Sequence, residues 1–222
     1  MERHVLVVFP HPDDETMATG GVIALHAEAG SPITYACFTL GEMGRNMGDP
    51  PFANRETLPQ VRERELREAC RHLGIEDLRL MGFRDKTLEF EDPEYLTSLI
   101  SSLIEEVNPS LVITYYPGYC VHPDHEAIAH ATVRAMAKLP VHVRPVLQCQ
   151  AFSRGHEEVL GPCDVVLDTS AVWEKVYLAW KAHKSQTATY IAHVDKELQG
   201  DETSRRQAIE RFSRYGLYTY PF

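Results

Sequence analysis

Apolar and polar positions follow two alternating patterns along this chain. Val5-Leu6-Val7-Val8-Phe9 is an unbroken apolar run of strand-forming residues, and similar runs recur at Ile33–Leu40, Leu78–Phe83, Leu111–Tyr116, Val146–Phe152 and Val165–Asp168. Between these runs the apolar positions take helical spacing. Ala18, Val22, Leu25 and Ala29 succeed one another at intervals of four, three and four residues, with Gly30 placed to stop that helix. A second helix opens at Pro59 and runs to Leu73, closed by Gly74. The same reasoning predicts helices over Pro93–Val107, Glu126–Lys138, Ser170–His183 and Glu202–Tyr215. Strands that alternate with helices predict βαβ units and an α/β fold with a mainly parallel sheet. With no internal repeat and no low-complexity linker, the 222 residues read as a single domain.

Two interruptions of the pattern carry candidate chemistry. After the first strand comes Pro10-His11-Pro12-Asp13-Asp14-Glu15, which no apolar strand can continue, so it is a turn at the carboxyl edge of the sheet before a helix entered through Gly20-Gly21. Taken alone, Asp13 and Asp14 are equally well explained as caps of that helix. The strand Leu111–Tyr116 is likewise followed by a Pro-Gly turn and then His122-Pro123-Asp124-His125-Glu126 ahead of a helix. In a parallel sheet both turns lie on one edge, and neighbouring strands are about 5 Å apart, so the two clusters can meet. His11, Asp14 and His125 then offer two imidazoles and a carboxylate, the pattern of a catalytic metal site with a position left for water. Nitrogen and oxygen donors do not select zinc strictly, and Fe2+ or another divalent metal suits them too.

A third interruption, Gly41–Leu58, is rich in Gly, Pro and Asn and has no periodicity. A loop this long in a compact domain is an active-site lid or binding loop, or else disordered; its place after the second strand favours the lid at 41–58. Arg62 precedes Leu66, Ala69 and Leu73 by four, seven and eleven residues, so it sits on the apolar stripe of its helix. It either pairs with Glu65 at the surface or points into a polar site at the sheet edge.

Composition narrows the partners. Lys and Arg number 22 against 32 Asp and Glu, a formal charge of −10, and no basic run interrupts it, which argues against nucleic acid. Five scattered cysteines without a CxxC pair read as a reducing compartment with no disulfide framework. No apolar stretch approaches the length of a membrane span. The expectation is a cytoplasmic protein with a small-molecule substrate and no membrane partner.

PHPDDE after the first strand together with HPDH after a later one resembles the PIG-L/LmbE-like zinc-dependent deacetylases, over the whole chain. Gly41–Asn46, Arg84–Thr87 and Pro117–Tyr119 are most similar to the second paralogue type of the bacillithiol-biosynthesis N-acetylglucosaminyl-malate deacetylases. The resemblance implies a Rossmann-like three-layer LmbE-like sandwich. It implies Zn2+ on His11, Asp14 and His125, Asp13 as general base, and His122 oriented by Asp124 to stabilise the oxyanion and protonate the leaving amine. An R-x-x-E-L context matches Arg62–Leu66 and implies that Arg62 helps bind substrate and holds the carboxylates of the first motif, with Arg45 and Arg55 of the loop as rivals for a substrate carboxylate. An H-x-S-Q segment matches His183–Gln186. The resemblance also implies N-acetylglucosaminyl-malate as the amino-sugar substrate and a homo-oligomer, trimer or hexamer. Val121 departs from the glycine usual before HPDH.

Three other readings stand beside this one. The metal site is kept with another amino-sugar or thiol conjugate as substrate, the fold is a nucleotide-binding or regulatory module, or the metal is bound without catalysis. The first strand turns through Pro-His-Pro-Asp-Asp rather than GxGxxG, and two carboxylates repel a pyrophosphate. The remaining histidines and Cys120 have no partner at ligand spacing and read as packing or surface groups.

Overall fold

A computed structural model describes residues 1–222. In chain order the elements are β1 (Val5–Phe9), α1 (Asp14–Glu28), β2 (Ile33–Thr39), α2 (Leu58–Leu73), β3 (Asp77–Phe83), α3 (Pro93–Val107), β4 (Leu111–Tyr115), α4 (Pro123–Ala137), β5 (Val146–Gln150), α5 (His156–Leu160), β6 (Val165–Asp168), α6 (Trp173–Ala182), α7 (Lys184–Leu198), α8 (Glu202–Glu210) and β7 (Arg214–Thr219). One seven-stranded sheet runs in the order β3-β2-β1-β4-β5-β7-β6. It is parallel except at β7, which pairs antiparallel with both β5 and β6.

The apolar run of β1 is continuous because both faces of the central strand are covered. Val5, Val7 and Phe9 pack with α1, α2, α6 and α7 on one side, and Leu6 and Val8 pack with α3 and α4 on the other. Two separate cores therefore sandwich the sheet, the three-layer arrangement that the resemblance implies. No helix is long and apolar enough to cross a membrane.

All six anticipated strands are present, and the anticipated helices are present with three corrections. Glu202–Tyr215 is not one helix: α8 ends at Glu210, and the aromatic tail forms β7, docked in the chain's own sheet. Two helices were not anticipated, α7 and the short α5. Finally, α1 begins at Asp14, not at Gly20-Gly21, and bends at Thr19 (φ −145°). Gly21 sits where a Cβ would lie 2.4 Å from the Tyr215 ring, so the glycine admits β7 against α1.

β1 feeds β2 and β3 on one side, whereas β4 and β5 lie on the other. The strand order reverses between β1 and β4, and open α/β sheets bind ligands in the crevice at the carboxyl ends of such a pair. The His-Pro-Asp segments leave these two strands.

Candidate active site

His11 follows β1 by two residues, and His125 lies in the first turn of α4, after β4. Across the crevice His11 Nδ1 and His125 Nε2 stand 3.1 Å apart. Asp14 places Oδ1 3.4 Å from His125 Nε2 and Oδ2 3.5 Å from His11 Nδ1. Donors bound at about 2.0–2.1 Å around one tetrahedral ion are separated by about 3.3 Å, so these edges fit a metal.

His11 Nε2 faces the carboxylates of Asp85 at 3.1 Å and Asp124 at 3.2 Å, and His125 Nδ1 faces the Cys120 carbonyl at 3.1 Å. Burial disfavours charge on His11, but its hydrogen bonds with Asp124, Asp14 and Asp85 outweigh this and raise its pKa well above the ordinary imidazole value. A metal ion would take the place of the proton between His11 Nδ1 and Asp14, and carboxylate-backed histidine is the usual outer arrangement of a metal site. Burial opposes charge on Asp14, but His125 and His11 outweigh it and hold its carboxyl well below the ordinary range. Tyr115, the last residue of β4, orients two of the donors at once. Its hydroxyl donates to Asp14 Oδ1 at 2.7 Å, and its ring stacks on His125 at 4.2 Å between centroids.

Asp13 stands at the N-cap position of α1, but its side chain makes no capping bond. Its backbone lies at φ 101°, ψ −26°, a region that non-glycine residues rarely adopt. The carboxylate instead takes a 2.9 Å contact from Arg62 Nη2 and lines the cleft beside Asp14. Burial pushes the Asp13 carboxyl up, Arg62 opposes this, and the neighbouring Asp14 adds to it, leaving it above its usual value. A carboxylate raised in this way is suited to taking a proton near neutral pH.

His122 caps α4, its Nδ1 accepting the Asp124 backbone N–H at 3.2 Å, and the ring lines the cleft. With Nδ1 an acceptor, the proton of the neutral ring is on Nε2. Burial and the neighbouring His11 and His125 lower the pKa of this ring, favouring the neutral form. The anticipated His122–Asp124 side-chain pair does not form. The fully buried Asp124 carboxylate faces away from His122, accepting the Lys86 N–H at 2.7 Å, the Leu88 N–H at 3.1 Å and His11 Nε2.

The cleft has a volume of about 350 Å³, and Met43, Gly44, Arg45, Arg62, Lys86 and Gln186 line it beside His11, Asp13, Asp14, Asp85, His122 and His125. Its roof is the long loop, which packs on the start of α7. Gly48 N–H donates to the Ser185 carbonyl, the Asn46 and Gln186 amides exchange hydrogen bonds with each other's main chain, and Thr189 Oγ1 donates to Asp49.

Residues 6–136 match the family described as PIG-L, GlcNAc-PI de-N-acetylase. The chain belongs to the PIG-L family. Among relatives of this PIG-L chain, a Bacillus cereus protein named probable N-acetyl-alpha-D-glucosaminyl L-malate deacetylase 2 is 49% identical over 97% of this chain and 99% of its own length. A Bacillus subtilis (strain 168) protein of the same name is 51% identical over 91% of each. Among solved structures, N,N'-diacetylchitobiose deacetylase from Pyrococcus horikoshii superposes with a TM-score of 0.73 at 21% identity, covering 99% of this chain and 84% of its own. GalB, a 4-carboxy-2-hydroxymuconate hydratase from Pseudomonas putida KT2440, also scores 0.73, at 22% identity over 99% of this chain and 97% of its own. One fold thus carries both deacetylases and a hydratase, so the residues of the site, rather than the fold, decide the chemistry.

The other expected residues of this PIG-L site separate clearly. Arg62 is buried, and besides Asp13 it donates to the Gly41 carbonyl at 2.9 Å and to the Pro12 carbonyl. It does not pair with Glu65, which accepts from Ser185 N–H and Oγ instead. Arg45 lines the cleft; Arg55 does not, because its Nη1 holds the Glu42 and Gly44 carbonyls at 2.8 and 2.9 Å and so staples the loop. Asp85 and Lys86 line the cleft and Tyr115 lies behind it against Asp14, yet none of them has a role assigned from the sequence, where Asp85 and Lys86 enter only as part of the Arg84–Thr87 similarity. His-Pro-Asp spacing announces itself within one turn, whereas these three take their places only through the pairing of distant strands.

Proposed function

We propose that this chain is a metal-dependent deacetylase that hydrolyses the acetamide of N-acetylglucosaminyl-malate, the step in bacillithiol biosynthesis that its sequence resemblance implies. The observation that carries the reading is the convergence of His11 Nδ1, Asp14 and His125 Nε2 within 3.1–3.5 Å, beside an Asp13 carboxylate held by Arg62. These three donors would hold Zn2+, or equally Fe2+, and such an ion would supply Lewis acidity at the acetyl carbonyl and make water a better nucleophile.

Asp13 takes a proton from the attacking water as the oxygen adds to the carbonyl carbon. The His122 Nε2–H donates to the oxygen of the tetrahedral intermediate, and a donor placed where charge develops typically contributes about 3–4 kcal/mol. The C–N bond then breaks, the nitrogen recovers the proton from Asp13, and acetate and the free amino-sugar leave. Arg45 and Lys86 line the cleft without an acidic partner and receive the two carboxylates of the malate aglycone. The protein acts in the cytoplasm as a homo-oligomer, a trimer or hexamer, which sedimentation equilibrium reads directly.

The test is release of primary amine from N-acetylglucosaminyl-malate by metal-replete protein, with Asp13→Asn as control. Turnover that disappears in the variant supports both the chemistry and the role of Asp13. A protein holding about one metal per chain without turnover of this compound rejects the substrate.

A further inference from the structure

We propose that Glu15, backed by His183, is a positioning residue that holds the unusual main-chain conformation of Asp13, an inference resting on the reading of Asp13 as general base. Both side chains are fully buried, and neither lines the cleft, so neither touches substrate. Glu15 divides its oxygens between two tasks. Oε1 takes His183 Nε2 at 2.7 Å and the Thr16 hydroxyl at 2.6 Å, and Oε2 accepts the Asp13 backbone N–H at 3.0 Å.

That N–H is the donor the start of α1 leaves over. The Asp13 carbonyl is already engaged by Thr16 and Met17 N–H groups at 3.1 and 2.8 Å, and the carboxylate is engaged by Arg62. The residue is thus gripped at its carbonyl, its side chain and its N–H, and the last grip comes from Glu15 alone. At φ 101° such a residue keeps its conformation only while its surroundings over-determine it. Rotating φ toward the common negative range swings Cβ, and the carboxylate with it, away from Arg62 and the reacting water.

Packing does not account for the pair. Two apolar side chains fill the same space without desolvating a carboxylate and an imidazole, and such replacements are often neutral or stabilising. His183 Nδ1 has no partner, so Glu15 is the carboxylate to which its ring is committed. Sequence and geometry together make Glu15, adjacent to Asp14 in the chain yet outside the cleft, the fixed point behind the base.

The experiment compares parent, Glu15→Gln and Glu15→Ala, reading kcat, KM, bound metal per chain and hydrogen exchange of the Asp13 amide by NMR. Gln keeps an oxygen opposite the Asp13 N–H and Ala removes it. A misplacement of about 1 Å costs about 100-fold, so Ala is expected to lower kcat about 100-fold with KM within about twofold and metal retained, and Gln to recover to within about tenfold of parent. The Asp13 amide stays protected in parent and Gln and exchanges rapidly in Ala. Gln as impaired as Ala, a kcat in Ala within about twofold of parent, or equal protection in all three overturns the proposal. If Ala does not fold, Gln decides by itself: an unprotected Asp13 amide rejects the proposal. If the parent deacetylates nothing, the functional reading has failed, and the amide exchange still decides the positioning.

Discussion

The guanidinium of Arg62 gives its terminal nitrogens to Asp13 Oδ2 and to the carbonyls of Gly41 and Pro12, so it meets the base rather than an incoming carboxylate. On the sequence alone, Arg62→Ala raises KM for a malate conjugate more than for a neutral glycoside. The contact with Asp13 favours its other implied role, holding the carboxylate of the first motif, for which Arg62→Ala is expected to lower kcat about 100-fold for both substrates and to change KM alike for the two. Arg62→Lys recovers little, because a single ammonium cannot serve a carboxylate and two carbonyls in a planar fork. Arg45 and Lys86 carry the opposite signature. A hydrogen bond to a charged group is worth about 1.5–3 kcal/mol, so removing either raises KM roughly 10- to 100-fold for the malate conjugate and little for a neutral glycoside. Steady-state kinetics on both substrates separates the assignments, and a selective KM effect of Arg62→Ala sinks the positioning role. What made Arg62 legible as a site residue was a cation on an apolar stripe; its partner Asp13 was legible only as one member of a motif.

The long loop owes its course to a few close approaches, of which Gly41 is the tightest. At φ 63° its Cβ position lies 1.7 Å from Arg62 Nη1, so alanine there both strains the backbone and pushes the guanidinium off Asp13. Such strain costs about 1–3 kcal/mol, and Gly41→Ala is expected to lower the thermal midpoint by roughly 2–10 °C. A fall in kcat comparable with that of Arg62→Ala goes with it. Unchanged kcat shows that the loop and Arg62 move independently. The existence of this loop was legible because no period runs through it, and β1 and β4 were legible because covered strands are continuously apolar. Other elements left weaker traces. α7 buries Ser185 and Thr187 beside Ile191 and Val194, so its inward face is half polar and shows no apolar stripe. β7 takes its partners from β5 and β6, and a strand fixed by distant pairing beside Gly216 resembles the end of a helix when read locally.

At the scale of the molecule, the reversal of strand order between β1 and β4 brings residues more than a hundred positions apart into one coordination set. A metal bound by His11, Asp14 and His125 therefore ties the β1–α1 turn to the β4–α4 turn. The metal binds the folded chain and not the unfolded one, so it stabilises by mass action, by about 2.7 kcal/mol at a free concentration a hundredfold above Kd. For a chain of this size that is a rise of roughly 5–10 °C in thermal midpoint. A chelator removes the shift and readdition of Zn2+ restores it, as scanning calorimetry measures. The variants divide sharply. Asp13→Asn keeps every donor and keeps the shift while losing turnover; His125→Ala and Asp14→Ala lose both. Asp124→Asn weakens the hold on the outer nitrogen of His11 and lowers metal affinity about 10- to 100-fold, the usual cost of losing an outer partner. The change also costs the fold about 1–3 kcal/mol, because the Lys86 and Leu88 N–H groups use separate oxygens of Asp124 and asparagine offers only one. A metal shift that survives in His125→Ala places the ion elsewhere, and the ligand set proposed from the two His-Pro-Asp turns is then wrong.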